Sequence, residues 1–152
     1  MLIIFYIGAE MPFKEKSAWI MVVITVAAYT TYVTSILARS GTTPLAQVPY
    51  VSTLFWTIGA VIVAAIVAHI AIAIASPEDA DREDQRDREI ERFGENVGHW
   101  FLVGGAMAAL GMSMLEMSYF WISNAIYLAF VLSASLGSAA KVLAYRRGFQ
   151  QW

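Results

Sequence analysis

Apolar and polar positions follow one another along this chain in long blocks. Four stretches without a charged residue, at 17–38, 51–75, 98–115 and 119–140, are separated by shorter polar or aromatic segments. A helix rises about 1.5 Å per residue, so about 20 apolar residues cross about 30 Å of hydrocarbon. The pattern therefore predicts an all-α membrane protein, with four transmembrane helices arranged as two antiparallel hairpins.

The polar segments complete the predicted organisation. Ser76 and Pro77 are typical of a helix start, and pairs of opposite charge at i,i+4 follow them, which predicts a charged cytoplasmic helix that leads into span three. We interpret this helix as a solvated cap of the bundle; the alternative is a docking surface for a basic partner. The predicted segments are a cytoplasmic leader (1–16), hairpin one with spans 17–38 and 51–75, the charged helix (76–97), hairpin two with spans 98–117 and 119–143, and a cytoplasmic tail (144–152).

Residues 1–9 are apolar but too short to span a membrane, and they lack the basic start and cleavage site of a signal peptide. The sequence from Met11 onward is more typical of a natural beginning. We expect residues 1–10 to lie outside the natural protein.

Composition narrows the range of chemistry. The chain is 59% hydrophobic and 14% charged, which suits a surface covered by lipid. It contains no cysteine, which excludes disulfides, thiolate metal sites and the four-helix quinone-linked disulfide enzymes. Phosphate loops, nucleophile elbows and histidine pairs at metal-binding spacing are absent from the sequence. We predict no enzymatic activity, no cofactor, no metal and no nucleic-acid partner.

Basic residues predict the orientation. Of the ten Lys and Arg residues, only Arg39 falls between spans one and two, and the other nine precede span one, lie between spans two and three, or follow span four. Lys and Arg near span ends are retained on the cytoplasmic side. We expect a multi-pass protein of the inner membrane with both termini in the cytoplasm.

Small residues at four-residue spacing let membrane helices approach closely. Within the protomer, we expect the small-residue faces of spans three and four to pack on each other or on span two; a homodimer or larger membrane complex is the alternative. The residues of these faces are Gly104, Ala108 and Gly111 in span three and Ala125, Ala129, Ser133 and Gly137 in span four.

A few polar residues lie in or near the predicted hydrocarbon, where each needs a partner or a purpose. His69 and His99 lie toward the same side of the membrane, and we interpret both as structural; haem or metal ligation is the alternative. Glu116 and Asn124 flank the tight turn between spans three and four, where we expect them to share hydrogen bonds with Ser118 and Ser123.

Four sequence patterns carry a resemblance to known proteins: Lys14-Glu15-Lys16-Ser17-Ala18-Trp19, the acidic and arginine-rich run at 81–92, Phe120-Trp121-Ile122-Ser123-Asn124-Ala125, and the closing segment 141–148. In these patterns the chain resembles a family of small, uncharacterised bacterial inner-membrane proteins with four spans. The resemblance implies a bacterial inner membrane, and the family brings no established catalytic residues that could be carried over to this chain.

We therefore expect a non-enzymatic membrane interaction or accessory protein. One alternative is a small transporter or channel with a polar path near His69, Glu116 and the span-one threonines. Span one lacks the embedded carboxylate of small multidrug exporters, which argues against that class. The other alternative is a haem- or quinone-binding protein that uses His69 and His99.

Overall fold

The computed structural model of the chain describes residues 13–75 and 85–147, which contain only helices and their connections. The helices are α1 (Phe13–Ser40), α2 (Val51–Ala75), α3 (Gln85–Met114) and α4 (Tyr119–Arg147), with a 3₁₀ turn at Leu45–Gln47 between α1 and α2. They range from 25 to 30 residues, and all four are long and apolar enough to cross a membrane. The predicted all-α, four-helix membrane fold is confirmed.

The first and last helices meet at one end of the molecule. Near the start of α1, Glu15 accepts a hydrogen bond from Arg146, close to the end of α4, with 3.2 Å between Nε and Oε1. The guanidinium of Arg146 also lies 5.5 Å from the centre of the Trp19 ring. We call this the basic end, because Lys14 and Lys141 also lie there, and the opposite end the far end.

The helices pack in the order α2–α1–α4–α3. The most extensive contact joins α3 and α4, while α1 packs against both α2 and α4. No residue of α2 is buried. Exposed apolar faces suit a membrane, where the surroundings are as apolar as the helices and close packing holds them together.

Small residues allow the backbones of α3 and α4 to approach closely. A Cβ added at Gly98 would lie 2.7 Å from the carbonyl oxygen of Ser133, and one at Gly137 would lie 2.9 Å from a carbonyl oxygen of α3. Toward the far end, Gly105 lies directly against Ala129. Any larger side chain at these glycines would have to push the two helices apart.

The face of α3 expected to pack within the protomer is not the one that does so. A Cβ at Gly104 or Gly111 would meet no atom within 4 Å, and Ala108 is exposed. Successive residues of a helix are turned by about 100° from each other, so Gly105 lies on a different side from Gly104. On α4 the small residues lie on the side that meets α3: Ala125, Ala129, Ser133 and Gly137.

A buried aromatic cluster joins α1 and α4 in the far half of the molecule. Tyr32 is 1% exposed, and its ring meets that of Tyr127 edge to face, with 5.0 Å between centroids. Phe120 of α4 and Val48 of the connection after α1 complete the same core. The connection between the first two helices is therefore packed into the fold.

The turn between α3 and α4 closes with hydrogen bonds typical of a helix C-terminus. Met117 N donates to Met112 O at 3.1 Å, and Glu116 N donates to Ser113 O at 3.0 Å. This pattern needs one residue in the left-handed region, and Glu116 takes it, with φ of 56°. The side chain of Glu116 is exposed.

The described part of the predicted charged helix, from Gln85 onward, is continuous with span three. It is tied to the other helices at the basic end. Lys14 Nζ lies 3.6 Å from Glu91 Oε2, and the Tyr145 hydroxyl donates to Asp87 Oδ1 at 2.6 Å. The predicted helix start at 76–77 lies outside the described residues, as do most of the leader and the end of the tail.

Candidate functional site

A polar cleft opens at the basic end, where side chains from all four helices meet. Its cavity of about 120 Å³ has room for several water molecules, since one water needs about 10–15 Å³. The lining residues are Lys14, Ser17, Ala18 and Met21 of α1, His69 of α2, Ile90 and Glu91 of α3, and Ser138, Lys141 and Tyr145 of α4.

Helical spacing accounts for this lining. Ser17 and Met21 are four residues apart on α1, and Ser138 and Lys141 are three apart on α4, so each pair shares one face of its helix. Ile90 is 0% exposed and forms an apolar part of the wall. The cleft thus has polar groups on α1 and α4, while α3 contributes the apolar Ile90 and the charged Glu91.

The cleft carries an excess of positive charge. Lys14 and Glu91 form an ion pair at 3.6 Å. The half-buried Lys141 has no acidic partner in the described part of the chain. Its aliphatic stem lies over Gly94, where an added Cβ would overlap it. An ammonium taken partly out of water is costly unless another group compensates its charge.

Two serines add buried hydroxyls to the cleft. Ser17 and Ser138 are each 9% exposed. Ser17 Oγ is shielded from solvent and has no hydrogen-bond partner among the described residues. A buried polar group left unpaired costs about 1–3 kcal/mol. A polar ligand in the cleft would remove this cost.

The two histidines are placed differently. His69 lines the cleft, and its Nδ1 lies 2.7 Å from the carbonyl oxygen of Ala65, to which it donates. This leaves Nε2 for a ligand. His99 is exposed on α3, where its ring lies beside that of Trp100, with 6.5 Å between centroids. The cleft therefore contains one of the two side chains that a haem site using both would need.

The described residues include no group of three or more His, Cys, Asp or Glu side chains that could hold a metal ion. Among the described residues that line the cleft, Glu91 is the one acidic side chain, and it is already paired with Lys14. The cleft has the character of an anion site, because the groups in it that lack a partner among the described residues are the ammonium of Lys141 and the hydroxyl of Ser17.

A second polar cluster, in the far half, has partners other than those expected. The Tyr32 hydroxyl donates to Asn124 Oδ1 at 2.7 Å, and Asn124 Nδ2 donates to Phe120 O at 2.7 Å. Tyr50 and Ser123 share a hydrogen bond of 3.1 Å. The expected hydrogen bonds of Glu116 and Asn124 with Ser118 and Ser123 are not made among the described residues, because the Glu116 side chain is exposed at the left-handed turn while Asn124 faces α1.

Sequence reasoning overlooked the hydroxyls of Tyr32 and Tyr50 as partners. The sequence contains a signal for these hydrogen bonds. The Asn124 amide lies in a predicted span, where it needs a partner, and Tyr32 and Tyr50 lie in or beside other spans. The site is structural in character, because its donors and acceptors satisfy one another.

The polar groups considered for a transporter path are distributed over both ends of the described structure. Thr31 donates to Ala27 O at 2.8 Å and Thr34 to Thr30 O at 2.9 Å, so these exposed hydroxyls bond to their own helix. His69 is at the basic end, and Glu116 is exposed at the far end. Thr25 is the exception, since its buried hydroxyl has no partner among the described residues.

An apolar groove adjoins the cleft. It lies where α2 and α4 flank α1, and its volume is about 320 Å³. Met21 lines both the cleft and the groove, so the two are adjacent. The residues of the groove are Met21 and Thr25 of α1, Ile58, Val61 and Ile62 of α2, and Tyr127, Phe130, Val131 and Ala134 of α4.

Comparisons with known proteins identify no relative of the chain. No protein-family model, curated protein or solved structure matches the chain.

Proposed function

We propose that this protein is a non-enzymatic interaction protein of the membrane, and that its partner is a second copy of the same chain. The second copy would dock on the face of α3 that carries Gly104, Ala108 and Gly111, which we call the outward face. The observation that carries the proposal is that α3 has two faces of small residues and uses one of them within the protomer. Gly98 and Gly105 contact α4, whereas the space outside Gly104 and Gly111 is open.

The chemistry of the contact between α3 and α4 supports self-association. That contact joins small residues to small residues, as at Gly105 and Ala129. The outward face has the same character, so two copies related by a two-fold axis could bring these faces together. Met107 and Met114, 64% and 77% exposed, are flexible side chains able to fill the gaps beside such a contact.

A bacterial inner membrane, with both termini in the cytoplasm, is part of the same proposal. The positive-inside rule supports it, because nine of the ten cationic residues fall on one side of the predicted spans. The resemblance to bacterial four-span proteins supports the choice of membrane.

Single cysteines introduced into this cysteine-free chain can test the dimer. Ala108→Cys places a thiol at the centre of the outward face. A contact between small residues would bring two such thiols within reach of a disulfide, which needs Cα atoms about 4.4–6.8 Å apart. We expect a cross-linked dimer when membranes that contain this variant are treated with a mild oxidant.

Ala60→Cys is the matched control, because Ala60 is also an exposed alanine in the far half of a membrane-spanning helix. We expect it to remain monomeric under the same oxidation. Gly111→Cys samples a second position on the same face. If neither α3 variant cross-links more than Ala60→Cys, the second copy does not dock there.

A further inference from the structure

The helix α2 has few contacts with the other helices except α1, and a groove remains between α2 and α4. Its principal contact is with α1, and none of its residues is buried. The groove between α2 and α4 has a volume of about 320 Å³ and is lined mainly by apolar side chains such as Ile62, Phe130 and Val131. In a membrane, a groove of this kind is filled by an apolar molecule, and acyl chains surround it.

The polar cleft adjoins this groove on the side of the basic end. Met21 lines both, so a molecule that lies in the groove has to pass only this flexible side chain to reach the cleft. Within the described part of the chain, the ammonium of Lys141 has no acidic partner there and the buried hydroxyl of Ser17 has no hydrogen-bond partner. His69 adds a ring nitrogen from α2.

These groups match a phosphate diester. Such a diester carries one negative charge, which would balance Lys141, and its oxygens accept hydrogen bonds from an ammonium and from hydroxyls. Basic pockets between transmembrane helices are a recognised way to hold anionic lipid headgroups. We propose that the cleft and the groove together bind one anionic phospholipid, with its phosphate beside Lys141 and Ser17 and an acyl chain along α2 and α4.

The bound lipid would also hold α2 in place. It would contact α2 through the groove and at His69, and α4 through Lys141. Part of the packing that α2 lacks within the chain would then come from the ligand, which stabilises the folded state that binds it. This proposal is independent of the dimer at the outward face of α3, since the two sites use different residues.

Native mass spectrometry of the full-length protein, released from detergent, can count the bound lipids. The probes are phosphatidylglycerol, diacylglycerol with the same acyl chains, and inorganic phosphate. We expect one phosphatidylglycerol to bind saturably, and diacylglycerol at least ten-fold more weakly, because it lacks the charge that Lys141 would meet. Inorganic phosphate alone should bind more weakly still, because it cannot use the groove.

Variants locate the site. We expect Lys141→Gln to weaken phosphatidylglycerol binding about ten-fold, and Arg147→Gln, which removes an exposed charge of α4 outside the cleft, to change it less than two-fold. Ser17→Ala should weaken binding several-fold. It should not harm folding, because the hydroxyl it removes has no partner within the described protein.

The outcomes are distinct. Equal binding of phosphatidylglycerol and diacylglycerol would overturn the assignment of a phosphate to the cleft. Binding of inorganic phosphate as tight as that of the lipid would overturn the role of the groove. If phosphatidylglycerol binds equally well to Lys141→Gln, Ser17→Ala and the unchanged protein, the lipid lies elsewhere and the proposal is wrong.

Discussion

Tyr32 makes a partly buried hydrogen bond that joins α1 to α4. Its side chain is 1% exposed, and its hydroxyl donates to Asn124 at 2.7 Å. Tyr32→Phe keeps the ring in the aromatic cluster but leaves the amide oxygen unpaired. We expect the free energy of unfolding, measured by titration with a denaturing detergent in mixed micelles, to fall by about 1 kcal/mol.

Tyr119→Phe is the control, because Tyr119 is 84% exposed and the same atom is removed. Its effect should stay within about 0.5 kcal/mol. Asn124→Leu removes the other partner, and combining it with Tyr32→Phe should cost less than the sum of the two single changes. Equal effects of Tyr32→Phe and Tyr119→Phe would show that this hydrogen bond does not stabilise the fold.

At the residue scale, the sequence indicates which groups need partners but not which partners they find. Asn124 is recognisable as a polar group in an apolar span, and the nearby Glu116 is the obvious candidate partner. The actual partner, Tyr32, lies 92 positions away. That pairing depends on how α1 and α4 are rotated about their axes relative to each other. The sequence near Asn124 does not indicate this rotation.

At the element scale, the contact between α3 and α4 depends on the absence of a side chain at Gly98. A Cβ there would lie 2.7 Å from a backbone oxygen of α4, which cannot move without displacing the helix. Gly98→Val should therefore destabilise the protein by about 1–3 kcal/mol through overpacking. The same detergent titration measures the loss.

Gly59→Val provides the comparison. Gly59 also lies within a membrane-spanning helix, but an added Cβ there would meet no atom within 4 Å. We expect its effect on the free energy of unfolding to be smaller by at least about 1 kcal/mol. Similar losses for the two variants would mean that the close approach of α3 and α4 does not hold the fold together.

The helices themselves are predictable because an uncharged run of about 20 residues has few other stable conformations in a membrane. The packing face of α3 is harder to predict, since the helix carries small residues on two sides. Gly104, Ala108 and Gly111 have the expected spacing, yet Gly98 and Gly105 make the contact. Spacing alone cannot select between two such faces, because the choice depends on the shape of α4.

At the scale of the whole molecule, the order α2–α1–α4–α3 places α2 at one side, with the groove beside it. The sequence predicts two hairpins but not this order, because all four spans are apolar around most of their circumference. The sequence does not predict the polar cleft either, because Ser17, His69 and Lys141 come from three helices and meet only after the helices pack. Sequence reasoning identified His69 as notable but could not supply its neighbours.

The distribution of charge between the two ends predicts how the molecule sits in the membrane. The ion pairs of Lys14 and Arg146 lie at the basic end. Retention of Lys and Arg in the cytoplasm should therefore fix that end inside the cell. Thr42→Cys, at an exposed position of the connection between α1 and α2 at the far end, should react with a membrane-impermeant maleimide in intact cells. Asn96→Cys, exposed in the charged part of α3, should react only after the membrane is opened. If Asn96→Cys is labelled in intact cells and Thr42→Cys is protected, the proposed orientation is wrong, although the fold would be the same.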